Sequence, residues 1–345
     1  MPVRAVFLAA IFVASSSMRA GADSAAKWAA GLPVYDHIVV VLEENKDFDE
    51  VLGDTAPAPY IKGLARDGAT LARMYGEEHN SEGNYFWLFS GSNQNVGFDD
   101  DVPDVKLAAD NLGEELIGKN LPGSEPHFRG YSESLPAIGW DNAKCSPDSE
   151  HKATQAPDCY YARKHVPWIS FANVPNTADA KTSSNLRWSD FPSDYAELPT
   201  VAIVVPNLIS DMHNGKVSSS VPTGDDWLRA NIDRYYQWAK SHNSLLIVTF
   251  DESDDQSRIT GFTDPRSIPR TGDRRSLDMQ NRIPTIFAGA HVKPGYQESK
   301  PATHVNILRT IEAMYGLLKA GAQQDNAVKA KIDDSAITGV FETTR

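Results

Sequence analysis

Three dense aliphatic runs in this sequence each end in side chains that can bind a cation or a phosphate. His37 to Leu42 (HIVVVL) is followed by Glu43, Glu44 and Asn45, and Leu245 to Phe250 (LLIVTF) by Asp251 and Glu252. Val201 to Val205 (VAIVV) is followed by Asn207, Asp211 and His213. One carboxylate after a strand is ordinary turn chemistry. The same chemistry after three buried strands points to a shared crevice, because the loops at the carboxyl ends of an open α/β sheet converge over one. A second constellation is His79 to Gly91 (HNSEGNYFWLFSG). Ser81 opens a short helix there and has two readings. It is an N-cap, or it is a nucleophile placed where unpaired N–H groups and the positive end of the macrodipole would receive a transferred phosphoryl group. Asn84, three residues on, falls on the same side of that turn and is expected to donate to a phosphate oxygen. His79 is balanced between a site role and a structural one, His165 reads as a packing side chain, and His37 carries no assigned role.

The elements that must position these residues follow from periodicity. Continuous rather than alternating apolarity marks a strand covered on both faces, hence a mostly parallel sheet between helices. Ile283 to Ala288 is a fourth candidate strand. Leu228, Ile232, Tyr235 and Ala239 recur with helical spacing and predict a helix over Asp225 to Ser241, with Asp225 and Asp226 in its first turn. Thr303 to Tyr315 predicts another, with Thr303 as N-cap. Alternation of strand and helix makes the fold class α/β, a three-layer α/β/α sandwich. No repeat and no Gly-, Pro- or Ser-rich linker divides the chain, so residues 23–345 are expected to form one domain. Two long polar stretches interrupt it, 140–165 and 253–281. The second holds Arg258, Arg266, Arg270, Arg274 and Arg275, matched by five aspartates, and reads as a neutral solvated loop. Asp99-Asp100-Asp101 lacks the spacing of an EF-hand loop and reads as a solvated turn.

The chain of 345 residues has a formal charge of −13. That charge disfavours nucleic acid as a partner and docking on anionic membrane by a polybasic surface. Residues 1–22 read as an export signal: Arg4, the apolar run Ala5 to Ala14, then Ala20-Gly21-Ala22 as a cleavage site. Cleavage removes Arg4 and Arg19 and takes the charge from −13 to −15. No later run approaches the length of a membrane span, so a secreted or periplasmic protein without an integral membrane segment is expected. In that oxidising compartment Cys145 and Cys159 are expected to pair, a loop closure worth roughly 3 kcal/mol in the chain-entropy model.

Several ordered blocks resemble the phosphoesterase family that holds bacterial and fungal acid phosphatases and phospholipases C, within the alkaline-phosphatase-like superfamily. They are His37 to Gly53, His79 to Tyr85, Tyr131 to Pro136, Lys164 to Trp168, Val205 to His213, Ile247 to Glu252, and Thr303-His304 with Arg309 to Glu312. The resemblance implies that Glu44, Asn45, Asp251 and Glu252 hold a divalent metal and that Ser81 accepts the phosphoryl group while touching that metal. It places His213, Asp211 and His304 near the substrate. The sequence departs from the family at Asn80, Glu82 and Gly83, and at Lys46-Asp47, where Arg-Ser is usual. Those departures bear on substrate preference.

The chemistry implied is phosphoryl transfer, which needs charge neutralisation and in-line positioning more than an acid–base triad. Attack by Ser81, a phosphoserine intermediate and hydrolysis by water follow, with His213 or His304 protonating the leaving oxygen. The almost all-oxygen ligand set favours Mg²⁺, Ca²⁺ or Mn²⁺, and Zn²⁺ only if a histidine joins it. The expected partner is a small phosphorylated substrate and the expected enzyme an acid-phosphatase-like monoesterase. A phospholipase C or phosphodiesterase acting on lipid head groups is the alternative, and a periplasmic binding protein the non-enzyme one. The Gly-x-Ser-x-Gly of α/β-hydrolases is absent, and Gly63 to Thr70 has Ala69 where a P-loop requires lysine.

Overall fold

Every residue of β1 (His37–Glu43), β6 (Pro199–Val205) and β7 (Ser244–Phe250) is buried, as continuous aliphatic runs require. The computed structural model describes residues 31–79, 81–96, 102–103, 105–142, 160–254, 281–325, 327 and 333–342. β1 lies between β6 and β7 and is parallel to both, with Val39 opposite Ala202 on one side and Leu246 on the other. β4 (Ser124–Ser132) and β5 (Asn185–Arg187) extend the parallel sheet beyond β6. Beyond β7 lie β9 (Thr285–Gly289), antiparallel to it, then β2 (Ala69–Leu71) and β10 (Tyr296–Glu298), making eight strands in all. β3 (Met74–Tyr75), β8 (Arg282–Ile283) and β11 (Ala302–Thr303) form a small second sheet. The α/β class with a mostly parallel central sheet is therefore as the sequence indicates. One apolar core cluster gathers buried aliphatic and aromatic side chains from across the described residues, Tyr35 and Phe341 among them.

The helices fall into two packed groups. α1 (Phe48–Leu52), α2 (Pro59–Asp67), α5 (Val217–Asn231) and α6 (Asp233–Ala239) touch one another, and α6 covers β7 and β9. α3 (Ser81–Ser90) packs on α4 (Leu112–Leu116) and on α7 (His304–Tyr315), and α4 covers β4. α7 starts after Thr303, whose N–H donates to Asn306 Oδ1 at 2.8 Å, and stops at Gly316 in the left-handed conformation.

Two predicted elements differ in detail. Ile283 to Ala288 is interrupted at Pro284, which has no N–H to give a ladder, so it splits between β8 and β9, and β9 runs antiparallel. The helix predicted from Asp225 begins eight residues earlier, at Val217, and is interrupted after Asn231. Asp225 is not a first-turn residue of its own helix. Its carboxylate instead accepts the N–H groups of Tyr60 and Ile61 at 3.0 and 2.8 Å, satisfying the open amino end of α2.

Cys145 and Cys159, residues 1–22, Asn80, Asp99 to Asp101 and the five arginines from Arg258 to Arg275 lie outside the described residues. Among the described residues no helix is long and apolar enough to cross a membrane.

Candidate active site

The carboxyl ends of β1, β6 and β7 are neighbours in the sheet, and the backbone stitches the loops that follow them. Glu44 N–H donates to the Asp211 carbonyl at 2.7 Å, Asp251 N–H to Glu43 O at 3.1 Å and Lys46 N–H to Glu252 O at 3.1 Å. Asn45 adopts φ 48°, a left-handed turn that asparagine tolerates better than most residues, and its N–H donates to Asp251 Oδ1 at 2.9 Å. The third wall is the amino end of α3, whose ten residues are all buried.

Ser81 is the first residue of that helix, and its Oγ lies 3.2 Å from Glu44 Oε2 and 3.3 Å from Glu252 Oε1. Three segments far apart in sequence thus meet at one hydroxyl. His79 Nδ1 donates to Glu252 Oε2 at 2.8 Å, which gives His79 a place in the site. Asp211 Oδ1 accepts the His213 N–H at 2.8 Å. The His213 ring is half-buried, and its Nδ1 is 2.9 Å from Asn214 Oδ1.

Two expected members are engaged elsewhere. Asn84 is fully buried and turns back on its own loop, accepting the Glu78 N–H at 3.0 Å and donating to the Glu78 carbonyl at 2.8 Å. Both polar atoms of Asn84 are thus engaged by Glu78, and they hold the turn before Ser81. His304 is also fully buried. Its Nδ1 donates to Glu77 Oε2 at 2.6 Å and its Nε2 to the Phe250 carbonyl at 2.7 Å. Both ring nitrogens are occupied, so His304 underpins Asp251 from below rather than facing a leaving group.

Two side chains join the site that sequence reasoning left out. The Tyr85 hydroxyl donates to Glu44 Oε1 in a short hydrogen bond. His165 stacks flat on the Tyr85 ring at 4.8 Å, with Nε2 3.3 Å from Glu44 Oε1 and Nδ1 3.9 Å from Asp211 Oδ2. The spacing of Tyr85, four residues after Ser81 and so on the same helix face, was the available signal. His165 stands in the Lys164 to Trp168 block of the resemblance, but its own residue type and spacing offered only a packing role. Trp168 is core, lying so close on Gly130 of β4 that a Cβ there would be 2.1 Å from the indole, and this anchors the turn carrying His165.

Burial and mutual repulsion dominate the electrostatics. Desolvation, then the Asp211 charge, push the Glu44 carboxyl up to about 8, against the Lys164 ammonium and the Tyr85 hydrogen bond. Burial, then Glu44 and Glu252, raise Asp251 well above the carboxylate range, and burial raises Asp211 likewise. Glu43 is raised by burial and by Glu133, and neither of its carboxylate oxygens finds a hydrogen-bond donor among the described residues. Burial lowers His213, which favours its neutral ring. At an effective dielectric near 20, two like charges about 4 Å apart repel by about 4 kcal/mol. The carboxylates therefore cannot all ionise unless a cation compensates them.

No three His, Cys, Asp or Glu side chains among the described residues are gathered into a ready metal cage. Glu44 is turned to Tyr85 and Ser81, and Glu252 to His79 and Ser81. The donor set nevertheless fits a hard cation. Asn45 Oδ1, Asp211 Oδ2 and Asp251 Oδ2 are buried oxygens that accept no hydrogen bond among the described residues. Buried acceptors without donors are costly unless something positive is to meet them.

The sequence matches the phosphoesterase family model over residues 54–318. It is 39% identical over 295 residues to a phosphatidylinositol-3-phosphatase of Mycobacterium tuberculosis, covering 85% of this chain and 81% of that protein. It is 25% identical to a probable acid phosphatase of Kluyveromyces lactis, covering 85% of this chain and 61% of the relative. Among solved structures, an alkaline phosphatase superfamily protein from Vibrio parahaemolyticus superposes with a TM-score of 0.51 at 13% identity, over 84% of this chain and 70% of that one. The lipoteichoic acid synthase of Listeria monocytogenes gives 0.51 at 10% identity, over 87% and 76%. At those identities the structures speak for the fold alone. The match to the family model and the mycobacterial relative carry the assignment: this chain belongs to the phosphoesterase family and is a hydrolase of phosphate ester bonds, built on the fold of the alkaline phosphatase superfamily.

Proposed function

We propose that this protein hydrolyses phosphate monoesters, in the manner of an acid phosphatase, with Ser81 as the nucleophile. The observation that carries the reading is Ser81 Oγ at the amino end of α3 within 3.3 Å of carboxylates from two other loops. In the first step the hydroxyl proton passes to a carboxylate oxygen of Glu252 as Oγ attacks phosphorus in line. The amino end of α3 offers N–H groups and the positive end of its dipole to the phosphoryl oxygens. His213 in its imidazolium form, which acidic pH supplies against its burial, protonates the departing oxygen. The neutral ring then takes a proton from the water that hydrolyses the phosphoserine, and the carboxylate returns its proton to Ser81 Oγ. Glu44, Asn45, Asp251 and Glu252 would hold a hard divalent cation (Mg²⁺, Ca²⁺ or Mn²⁺). Such an ion supplies Lewis-acid polarisation of a phosphoryl oxygen and offsets the carboxylate charge that would otherwise repel a phosphate dianion.

The relatives named as monoester phosphatases, including one acting on an inositol phospholipid, support monoesters as the substrate class. The export pattern of residues 1–22 supports a secreted or periplasmic enzyme in which residues 23–345 form one domain and Cys145 pairs with Cys159. The test starts from protein exported on its own leader, whose intact mass should lack residues 1–22 and the two thiol hydrogens. Turnover is then measured on p-nitrophenyl phosphate, bis-p-nitrophenyl phosphate and phosphatidylcholine, with and without EDTA. Chelator-sensitive hydrolysis of the monoester is expected. Turnover of the diester or the phospholipid alone would replace this reading with a phosphodiesterase. No turnover anywhere, with a small molecule retained on purification, would favour a binding protein.

A further inference from the structure

The Asp251–Glu252 pair sits on a loop, yet that loop is fixed from beneath by side chains outside the reacting set. Glu77 is fully buried two residues before His79. Its Oε2 accepts from His304 Nδ1 at 2.6 Å and its Oε1 from the Val305 N–H at 2.9 Å, so one carboxylate is held by both the ring and the backbone at the start of α7. The other nitrogen of His304 donates to the carbonyl of Phe250, the residue immediately before Asp251. A carbonyl can only accept, so Nε2 carries a proton, and the carboxylate beside Nδ1 completes an imidazolium. The result is a three-part link, Glu77 to His304 to Phe250. It ties the turn that carries His79 and Ser81 to the end of the strand that carries Asp251 and Glu252.

The geometry leaves little slack around this link. A Cβ at Gly76 would stand 2.7 Å from the Asp251 carbonyl, so the two segments lie as close as backbones can. Asn281, with φ 52°, bridges them on another side. Its amide donates to the Gly76 and Glu78 carbonyls at 3.0 and 2.7 Å, and its Oδ1 accepts the Ser253 N–H at 2.8 Å. Asn281 supplies neutral hydrogen bonds between backbones. Glu77 and His304 add a buried ion pair, whose full strength is realised in only one arrangement of the two loops.

We propose that Glu77 and His304 are positioning residues that preset the Asp251–Glu252 carboxylates for a divalent cation, so that the oxygen set is in place before the ion arrives. This rests on the reading of Glu44, Asn45, Asp251 and Glu252 as the cation's ligands. Neither residue touches substrate. Their removal therefore acts on cation affinity, and through it on rate, and leaves the substrate KM at saturating cation alone.

The test is calorimetric titration of EDTA-treated full-length protein with Mn²⁺, well below each melting midpoint, alongside kinetics on p-nitrophenyl phosphate. Glu77→Gln and His304→Gln are the variants, and either suffices if the other fails to fold by circular dichroism. Glu312→Gln is the control for stability, because Glu312 is a buried ion-pair partner of Arg309 on the same helix but away from the site. Both positioning variants are expected to weaken Mn²⁺ binding by about tenfold or more. At saturating Mn²⁺ their kcat should recover to within a few-fold of wild type with KM unchanged, and Glu312→Gln should keep the wild-type Mn²⁺ affinity. Wild-type affinity in both positioning variants, or an equal loss in Glu312→Gln, overturns the proposal and leaves the cation site standing. Absence of Mn²⁺ binding by the wild type overturns the cation site and this proposal together.

Discussion

Single side chains decide the chemistry here, and His213 separates acid catalysis from simple positioning. Its ring is half-buried beside the Asp211 loop, and it is the histidine proposed to protonate the leaving group. Replacing it, as in His213→Asn, should depend on the substrate. An alkyl monoester such as glycerol 2-phosphate leaves as a strong base and needs the proton, so kcat should fall by about 10²- to 10⁴-fold. The p-nitrophenolate ion leaves without one, so its kcat should change far less. Equal losses on both substrates, read from steady-state kinetics, would remove His213 from the acid role. Part of this site was legible in the sequence: residue type at the strand ends marked Glu44, Asn45, Asp251 and Glu252, the family resemblance singled out Ser81, and these residues do converge. What was not legible is where buried polar groups spend their hydrogen bonds. Asn84 and His304 have the right chemistry for phosphate, but Glu78 and the Glu77–Phe250 pair claim their atoms first. His165 carries no periodic signal, because its place depends on Trp168 packing over Gly130.

Elements position those side chains through their ends. The strands β1, β6 and β7 were readable because burial on both faces forces continuous aliphatic runs. The extent of α5 was not, because its first turns are polar serines and contain Pro222, which reads as a helix breaker. Asp225 shows what a local reading misses. An acidic residue near a helix start suits the dipole of its own helix, yet here the carboxylate serves α2 across the packing interface. Asp225→Ala would leave the N–H groups of Tyr60 and Ile61 without an acceptor. It should cost about 1–3 kcal/mol in urea unfolding, with circular dichroism of the native state unchanged. A loss of only about 0.5 kcal/mol, the range of ordinary surface changes, would show that water replaces the carboxylate at no cost.

At the scale of the whole molecule, the acidic excess is partly an internal charge and makes stability depend on pH. Burial raises Glu312 to about 7 and Glu44 to about 8, and it raises Asp211 and Asp251 well above the ordinary carboxylate range. A carboxyl whose folded pKa exceeds its unfolded value binds protons more tightly when folded. Its favourable contribution is therefore complete below the unfolded value and is lost as pH rises through the folded one. EDTA-treated protein should melt at a higher temperature near pH 5 than near pH 8, and the decline should continue across that interval. Added Mg²⁺ or Mn²⁺ should raise the midpoint most at pH 8, where the carboxylates have lost their protons. Differential scanning calorimetry across this range checks both, and a midpoint that climbs from pH 5 to pH 8 without cation would contradict the electrostatic account.

The most direct measurement is on Ser81 itself. Protein turning over p-nitrophenyl phosphate is quenched in acid and digested, and the peptide containing Ser81 is examined by mass spectrometry, alongside turnover by Ser81→Ala. A phosphoryl group is expected on Ser81 in the wild type and none in the variant, with the variant's turnover lost to near background. A Ser81→Ala enzyme that hydrolyses the ester at the wild-type rate would contradict Ser81 as the nucleophile.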